Sequence, residues 1–546
     1  MSSTRKKVIT AALPYVNNSP HLGNIIGCVL SADVYARFCR KSGEKVVFVS
    51  GTDDYGTATE IRARKDNTTC EEVVKCNRQI MTDVFDWFCI EFDYFGQTSN
   101  AVHSKVVQDV FHKIGDRIEE DVMQQYYCSR CEMFLADRYL TGTCSKCKCY
   151  GVQGDQCDAC GILLKTEDII DPECAICGER PQLRDTRHLF IKLNELAGDL
   201  RLKYEKNSPG WSKNAREIAL QWLEKDLHKR CITRDLKWGV PVPGMNKVFY
   251  VWFDAVIGYL SFFKIHVERS ENKEFESLKE LEDEFRSYEL VQFMGKDNAP
   301  FHTIILPAIL DLVANKMSVT EYLMFENKKF SKSKQIGIFG SDLLHNEYGV
   351  CDLWRYYLVK IRPESKDSNF SLTDFLNSIA DLQNNFGNLC NRVLKFIKNG
   401  MDGRVHFKGV LNSSTRQEFV KKINDLLSEY KDVMCHIKMK KGLTVLSEMC
   451  MVCNNFLQKA FDHKVEKEAK NDSFALVFSV IALLADLFEP FIPNICADLH
   501  QMCAIEPRTI GDELQILDEH SIGENVRPLF VPLSEEILEN LKNKIK

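Results

Sequence analysis

Residues 7–24 read KVITAALPYVNNSPHLGN, and this stretch decides the fold class. The apolar run from Lys7 to Leu13 predicts a short buried strand, which Pro14 and the turn-rich residues 17–20 bring to an end. Apolar residues with helical spacing then run from about His21 to Lys41. The stretch therefore predicts a strand that passes through a sharp turn directly into a helix.

The neighbouring segments extend this unit to a parallel sheet. Lys45–Ser50 is a second apolar run, with a loop from Gly51 onward, and strand, helix and strand at this spacing form a βαβ unit. Lys247–Phe253 and Glu289–Met294 predict two further buried strands. We expect an α/β nucleotide-binding sheet split by an insertion, with ligands outside the carboxyl ends of its strands.

Composition and charge indicate a globular chain without the net positive charge that is typical of nucleic-acid-binding proteins. Of 546 residues, 45% are hydrophobic and 27% are charged, and the formal net charge is −6. Residues 1–7 are polar and basic, and the longest apolar run, Phe474–Ala485, is too short to span a bilayer. We therefore expect a soluble protein of a reducing compartment, without a secretory signal or a membrane partner.

From about Leu376 helical periods dominate, and Pro490 and Pro493 mark a bend between helices. The segment from Phe386 to Lys470 carries 16 Lys and Arg against nine Asp and Glu. This local positive balance is compatible with contact to a phosphate backbone. A solvated helical surface explains the same charges, and charge alone leaves both explanations open.

The 22 cysteines are unusual for such a chain, and eight of them form four Cys-x-x-Cys pairs between residues 128 and 177. Two such turns can complete a tetrahedral four-sulfur zinc site, so eight thiolates predict two closed structural Zn²⁺ sites. A redox dithiol explains one such pair but not four, and the spacing does not tell which pair joins which. Cys149 is expected to be a bystander. The predicted ligands are Cys128, Cys131, Cys144, Cys147, Cys157, Cys160, Cys174 and Cys177.

Cys450 and Cys453 have the same spacing but lie within a helical apolar pattern. Core packing is the favoured interpretation there.

Two motifs carry the expected chemistry. His-Leu-Gly-Asn at residues 21–24 sits at a strand-to-helix turn, where free amides and the helix dipole favour an anion. Lys-Phe-Ser-Lys-Ser at residues 329–333 combines two cations and two hydroxyls in a phosphate-directed loop. Each motif alone is a weak signal, because a turn histidine is commonly structural and a charge run is commonly solvated surface.

Together, in this order and around a split sheet, the two motifs resemble the paired signatures of class I aminoacyl-tRNA synthetases. The absence of Gly-x-Gly-x-x-Gly excludes a dinucleotide-dependent dehydrogenase. Within the class, the chain resembles methionyl-tRNA synthetases of the eukaryotic cytosolic type. Four strings carry this resemblance: ALPYVNN (12–18), GTDDYGT (51–57), FYVWFDA (249–255) and GKDN (295–298).

The resemblance implies a ligase that activates methionine with ATP and transfers it to the 3′ end of tRNA(Met) in the cytoplasm. It places His21 and Asn24 on the phosphates, Gly23 under the adenine and Asp297 on the ribose. Lys332, assisted by Lys329, would stabilise the leaving pyrophosphate, with Mg²⁺ accompanying ATP. Phe330 replaces the methionine usual in this motif and is expected to pack beneath the loop.

For the amino acid, the resemblance implies a pocket of aromatic and small side chains, with Asp53 holding the α-ammonium. A hydrogen-bond donor from Tyr15 or His302 to the thioether sulfur would sharpen selection. The implied methionine-binding residues are Ala12, Leu13, Tyr15, Asp53, Trp252, Ala255, Val256, Tyr259, Asn298 and His302.

For tRNA, the resemblance implies that Asn388 and Arg392, at i and i+4 on one helix face, read anticodon bases. Relatives add a stacking tryptophan, but this chain has none after Trp354, so Phe461 or His463 is expected to stack instead. No appended tRNA-binding module is expected.

The expected domains are consecutive. They are the first half of the catalytic domain (1–120), a zinc-knuckle connective insertion (121–232), the second catalytic half (233–325), a stem-contact region with the 329–333 motif (326–375) and a helical anticodon-binding domain (376–546). Partner proteins, such as a multisynthetase complex or an accessory protein, stay open.

Two alternatives stay open beside this hypothesis. One is another class I synthetase or a related nucleotidyltransferase, and the other is a synthetase-derived, zinc-stabilised RNA-binding or scaffold protein. The intact set of His21, Gly23, Lys332 and Asp53 argues against a scaffold.

Overall fold

The structure is a computed structural model that describes residues 5–153, 157, 169–225, 227–331, 336–345, 347–410, 413–460 and 466–545. The strands, in chain order, are β1 (Lys6–Ala11), β2 (Lys45–Thr52), β3 (Tyr94–Gln97), β4 (Ile118–Cys128), β5 (Met133–Phe134), β6 (Leu140–Cys144), β7 (Tyr150–Gln153), β8 (Ile169–Cys174), β9 (Gln182–Ile191), β10 (Arg230–Cys231), β11 (Thr233–Arg234), β12 (Val248–Phe249), β13 (Glu289–Gly295), β14 (Lys316–Thr320), β15 (Leu323–Phe325), β16 (Ser368–Phe370), β17 (Arg404–His406) and β18 (Glu519–Ser521).

The α-helices are α1 (Leu22–Asn24), α2 (Leu30–Lys41), α3 (Thr57–Lys65), α4 (Cys70–Trp87), α5 (Ala101–Lys113), α6 (Leu193–Asn207), α7 (Lys213–Glu224), α8 (Val251–Glu271), α9 (Leu278–Arg286), α10 (Leu306–Leu310), α11 (Gly340–Leu343), α12 (Cys351–Lys360), α13 (Leu372–Leu382), α14 (Asn388–Gly400), α15 (Ser413–Cys435), α16 (Met439–Ala460), α17 (Lys467–Phe488), α18 (Pro493–Cys503) and α19 (Glu535–Ile545). Short π-helical segments at Ile25–Val29, Phe301–Ile305 and Gln383–Gly387 precede α2, α10 and α14.

A five-stranded parallel sheet forms the centre of the first half, in the order β14-β13-β1-β2-β3. Val8 of β1 lies opposite Leu290 of β13 on one side and Val47 of β2 on the other. The chain leaves β1 toward β2 and β3 and returns on the opposite side as β13 and β14. The point where the strand order reverses is therefore between β1 and β13, which is where such sheets bind ligands.

Several predicted elements are confirmed in place. The predicted strands appear as β1, β2 and β13, and the predicted helix appears as the continuous helical run Leu22–Lys41. The bend near Pro490 and Pro493 is confirmed, because α17 ends at Phe488 and α18 begins at Pro493.

The predicted strand at Lys247–Phe253 is wrong. Only Val248–Phe249 is a strand, and Val251 begins the 21-residue helix α8. The reason is that a short, wholly apolar run is equally compatible with a buried strand and a buried helix. Leu260, Phe262 and Phe263 of α8 point in different directions around the helix axis and are all fully buried, so apolar residues recur on more than one face of the helix.

An insertion of antiparallel strands separates β3 from β13. Its long ribbon pairs β4 with β9, and β6 pairs with both β7 and β8 in a second small sheet. The hydrophobic cluster of the insertion is small and includes four of the predicted metal ligands, Cys128, Cys144, Cys157 and Cys174. A core of this size stabilises a fold only weakly by apolar burial.

Beyond β16 the described chain is mainly helical. The apolar side chains of these helices join the core on the α2 face of the parallel sheet. The sheet and the helices therefore share one continuous hydrophobic cluster. The helical run Leu22–Lys41 and α17 are long and apolar enough to cross a membrane, but 89% and 94% of their apolar windows are buried. Both pack as core helices in this fold.

Candidate active site

A cavity of about 530 Å³ opens at the carboxyl ends of β1, β2 and β13. All ten residues predicted to bind methionine line it, together with His21 and Asn24 of the first motif. The sequence reasoning missed further lining residues, among them Met81, Tyr250, Phe301 and Phe339. Tyr250 lies within the FYVWFDA string and could have been found there, whereas Phe339 carries no local signal.

One wall of the cavity is a face of α8. Trp252, Ala255, Val256 and Tyr259 recur at helical spacing and all line the cavity. The Trp252 ring stacks on Phe301 with centroids 6.3 Å apart and an interplanar angle of 22°. The wall is thus an aromatic and aliphatic surface that suits an unbranched apolar side chain.

The polar groups of this wall form a hydrogen-bonded chain. His302 Nδ1 lies 2.8 Å from the Asn298 carbonyl oxygen, and Nε2 lies 2.7 Å from the Tyr259 hydroxyl. A carbonyl only accepts, so Nδ1 carries the proton and Nε2 accepts from the Tyr259 hydroxyl. Burial lowers the pKa of His302 to about 4, which keeps the imidazole neutral. His302 thus has no donor left for a ligand, and Tyr15, the other predicted donor, is 49% exposed.

A group of buried carboxylates lies at the cavity, where Asp53 is part of the lining. Asp53 is 4% exposed, and its Oδ1 has no hydrogen-bond partner among the described residues. Burial, followed by the nearby carboxylates of Asp254 and Asp54, raises the pKa of Asp53. A buried carboxylate oxygen without a partner is costly, so Asp53 favours a cationic ligand. Asp254, which the sequence reasoning missed, adds negative charge there.

His21 and Asn24 cap the helical run Leu22–Lys41. The Asn24 backbone N–H donates to His21 Nδ1 at 3.2 Å, and the His21 N–H donates to Asn24 Oδ1 at 3.2 Å. Nδ1 is therefore unprotonated, and Nε2 carries the proton. Burial lowers the pKa of His21 to about 4, so the ring is a neutral donor at pH 7.

Gly23 lies beside this ring and does not line the cavity. A Cβ at Gly23 would lie 3.0 Å from His21 Cε1 and Nδ1. Its missing side chain thus makes room for the capping imidazole.

The two motifs, about 300 residues apart in sequence, are in contact. The Phe330 ring stacks on His21 with centroids 4.4 Å apart and an interplanar angle of 6°. Residues that follow the second motif also pair with the first, since the Gly340 N–H donates to the Pro20 carbonyl at 2.7 Å. Phe330 therefore packs on the first motif, and this contact holds the base of the loop at the cavity.

Of the two lysines in the second motif, only Lys329 is among the described residues. Lys329 is exposed and does not line the cavity, and Lys332 lies outside the described residues. Ser331 and Ile336, the described residues on either side of Lys332, pair through two backbone hydrogen bonds of 2.9 and 2.8 Å.

Asp297 lies just beyond β13, outside the cavity lining. Its Oδ1 accepts from the Tyr322 hydroxyl at 2.7 Å, and the Lys296 ammonium lies 3.8 Å from the Tyr322 ring centroid. The carboxylate is thus oriented by a neighbour that the sequence reasoning did not identify.

The cysteine pairs assemble in two groups. Cys128 and Cys131 meet Cys174 and Cys177, with all four sulfurs within 4.8 Å of one another. Cys144, Cys147 and Cys157 form the second group, while Cys160 lies outside the described residues. The first Cys-x-x-Cys pair in the sequence therefore lies with the last one, a pairing that the spacing alone did not determine. Cys149 lies outside both groups. The donor sets fit metal ions that prefer thiolates.

The two predicted anticodon residues lie on α14, far along the chain from the cavity. Arg392 Nη2 donates to Asn454 Oδ1 at 2.7 Å, and the Arg392 Nε is buried without a partner among the described residues. Asn388 lies one turn before Arg392, as predicted. Phe461 and His463 lie outside the described residues.

Cys450 and Cys453 are 1% and 0% exposed within α16, so the prediction of core packing is confirmed.

A split parallel sheet with two contacting phosphate-directed motifs at its switch point defines the class I aminoacyl-tRNA synthetases. Residues 7–394 match the family model described as tRNA synthetases class I (M), and residues 408–545 match the anticodon binding domain of methionyl tRNA ligase. The chain belongs to the methionyl-tRNA synthetase family.

Curated relatives and solved structures agree with this assignment. The chain is 46% identical to a probable cytoplasmic methionine–tRNA ligase of Vairimorpha ceranae, with 98% of each chain covered. It is 42% identical to the cytoplasmic methionine–tRNA ligase of Arabidopsis thaliana, over 99% of this chain and 71% of the relative. A solved Mycobacterium tuberculosis methionyl-tRNA synthetase bound by methionyl-adenylate shares the fold, with a TM-score of 0.77 and 20% identity over 96% of this chain and 100% of that chain.

Proposed function

We propose that this protein is a cytoplasmic methionine–tRNA ligase that charges tRNA(Met) in two steps. The methionine carboxylate attacks the ATP α-phosphorus and releases pyrophosphate, and the adenylate then acylates the terminal ribose of the tRNA. The observation that carries the proposal is that one cavity is lined by all ten predicted methionine-binding residues, among them Asp53, whose buried Oδ1 has no hydrogen-bond partner among the described residues.

The chain's residues supply alignment and charge rather than a nucleophile. Asp53 holds the methionine ammonium, and the face of α8 holds the side chain, with Tyr15 available to the sulfur. His21 donates from Nε2 to the phosphates as a neutral imidazole, with Asn24 beside it and Gly23 under the adenine. Because His21 is neutral, the positive charge that stabilises the leaving pyrophosphate comes from Lys332 and Lys329. Asp297 accepts hydrogen bonds from the ribose hydroxyls. Mg²⁺ accompanies ATP as the counter-ion of its phosphates.

The experiment for this proposal is amino-acid-dependent ATP–pyrophosphate exchange across a panel of amino acids. We expect methionine to be preferred over norleucine and leucine, but by no more than about 200-fold, because an apolar pocket rejects a side chain of nearly equal size only weakly. A stronger response to any other amino acid would contradict the assignment. If a metal-replete protein charged no tRNA(Met), the scaffold alternative would be favoured.

Two Zn²⁺ ions would occupy the cysteine groups, with no open position for substrate. One site would use Cys128, Cys131, Cys174 and Cys177, and the other Cys144, Cys147, Cys157 and Cys160. The small hydrophobic cluster around them supports a structural role, because metal would supply the folding free energy that apolar burial does not.

We expect Cys174→Ser to lose one of two zinc equivalents, as measured by mass spectrometry of the metal. Amides of the β4–β9 ribbon should then exchange with solvent faster, because the site joins the end of β4 to the segment that precedes β9. The control is Cys149→Ser, which lies outside both groups and should keep two equivalents. An unchanged zinc content in Cys174→Ser would contradict the pairing.

The proposed domain division follows the expected boundaries, with residues 376–546 binding the anticodon. Asn388 and Arg392 would read bases there. The chain of hydrogen bonds from Arg392 through Asn454 to the Asn385 carbonyl, at 2.7 and 3.3 Å, supports this role by holding the guanidinium in place.

Arg392→Ala should lower kcat/KM for tRNA charging by roughly 5- to 150-fold, since a specific base contact contributes about 1–3 kcal/mol. Pyrophosphate exchange, which needs no tRNA, should stay at the wild-type rate. Lys395→Ala is the matched control, because Lys395 is an exposed cation on the same helix. An equal loss in both assays would make Arg392 structural.

A further inference from the structure

Two cysteines outside the metal groups lie side by side where the catalytic sheet meets the helical half. Cys89 follows α4, and Cys351 begins α12, 262 residues later. Their sulfur atoms are 3.5 Å apart. Disulfide formation would require an approach of about 1.5 Å to reach a bond of ~2.05 Å.

A third element completes this site. The exposed side chain of Asn494, on α18, places its Nδ2 3.3 Å from the Cys89 sulfur and 3.5 Å from the Cys351 sulfur. The same amide donates to Asp352 Oδ1 at 3.1 Å. Cys89 is half-buried next to the exposed Asn494, whereas Cys351 is buried, so a small solute can reach Cys89 but not Cys351.

The two thiols are electrostatically unequal. The hydrogen bond from Cys351, then that from Asn494 and the charge of Arg355, lower the pKa of Cys89 to about 6 against the opposing effect of burial. The neighbouring Cys89 sulfur and burial raise the pKa of Cys351. At pH 7 the pair is thus a thiolate at Cys89 beside a thiol at Cys351, the arrangement of an attacking and a resolving cysteine.

The backbone holds Cys89 in place. Its φ of +53° lies in the left-handed region, and its carbonyl accepts from Arg37 Nη2 at 2.7 Å. The Arg355 guanidinium contacts the same carbonyl at 3.4 Å. This contrasts with core thiols such as Cys390 and Cys450, which are fully buried and whose pKa values burial raises.

We propose that Cys89 and Cys351 form an oxidation site for hydroperoxides that closes to a disulfide across this junction. The Cys89 thiolate attacks one peroxide oxygen, the O–O bond breaks, and the leaving oxygen takes up a proton, which gives a sulfenic acid and water or an alcohol. The Cys351 sulfur then attacks the Cys89 sulfur. The S–O bond breaks, and hydroxide leaves with the Cys351 proton as water. Two thiols lose two electrons in total, and the peroxide gains them.

The test uses the full-length protein treated at pH 7 with hydrogen peroxide at a one-to-one ratio, quenched by alkylation and mapped by peptide mass spectrometry. We expect a Cys89–Cys351 crosslinked peptide as the main product. In Cys351→Ser, dimedone should label Cys89 as the trapped sulfenic acid, and in Cys89→Ser no label should appear at Cys351.

Two further variants test whether oxidation is specific to the Cys89–Cys351 pair or follows the solvent exposure of any cysteine. Cys76 is exposed and lies on α4 itself, and Cys76→Ser should leave the disulfide yield unchanged. Asn494→Ala, a surface change, should slow oxidation of Cys89 several-fold because the thiolate loses a donor. Oxidation of Cys76 before Cys89, or a crosslink from Cys89 to any cysteine other than Cys351, would overturn the proposal.

Discussion

Replacing Asp53 by asparagine is expected to raise the KM for methionine in pyrophosphate exchange by roughly 30- to 4,000-fold. This range corresponds to the 2–5 kcal/mol lost when one partner of a buried charge pair is removed. Asparagine keeps the shape of the side chain but removes the charge that meets the ammonium. Steady-state exchange at varied methionine concentration measures the effect.

The same variant should be more stable than the wild type in the absence of ligand. Asp53 Oδ1 is buried without a partner, so the wild type bears the cost of a desolvated carboxylate, which asparagine relieves. In thermal unfolding, the variant should have a higher Tm than the wild type when methionine is absent. Its Tm should rise less than that of the wild type when methionine is added.

Asp54→Asn is the matched control, since Asp54 is the adjacent buried carboxylate. Its Oδ1 also has no partner among the described residues, but Asp54 does not line the cavity. Its Oδ2 accepts from the Ser99 hydroxyl at 2.5 Å and the Ser99 N–H at 3.1 Å, so its role is structural. We expect it to lose stability with a much smaller change in KM. A wild-type KM in Asp53→Asn would remove Asp53 from the proposed methionine site.

Replacing Arg355 by methionine is expected to lower the free energy of unfolding by about 3–5 kcal/mol, the effect of breaking a buried ion pair. Arg355 is 0% exposed and contacts Asp33 Oδ2 at 2.7 Å. It also donates to the Phe88 carbonyl at 2.6 Å and the Pro490 carbonyl at 2.6 Å. One guanidinium thus joins α2, the end of α4 and the helical half.

Urea denaturation with fluorescence detection measures this loss, and a separate early transition of the helical half would be consistent with the junction role. The control is Arg527→Met, which removes an exposed ion pair with Asp498 of 2.7 Å. Surface pairs contribute about 0–1 kcal/mol, so the control should change stability little. Equal losses in both variants would show that the Arg355 cluster has no special role.

Local patterns predicted those parts of the fold that depend on neighbouring residues. Residues 7–24 predicted a strand and a helix, and the structure has β1 and the helical run Leu22–Lys41. The same local reasoning failed at Lys247–Phe253, because an apolar run buried on all sides has no periodicity that distinguishes a strand from a helix. Burial of α8 against the sheet is a property of the whole fold.

The family motifs named most of the cavity, but not its internal contacts. Stacking of Phe330 on His21, the hydrogen bond from Tyr322 to Asp297 and the proton positions on His302 each join residues of different elements. No pattern within one segment encodes such contacts, because they depend on how the elements pack.

The sequence by itself determined the α/β class, the four Cys-x-x-Cys pairs and the residue types of a methionine and ATP site. Each of these depends on side chains a few positions apart, whose geometry the local backbone sets. Only the tertiary structure decided that Cys128 and Cys131 meet Cys174 and Cys177 and that Cys89 contacts Cys351. It also decided that Asp53 is buried and that its Oδ1 has no partner among the described residues. Those features depend on strand order, on burial and on packing between segments far apart in the chain.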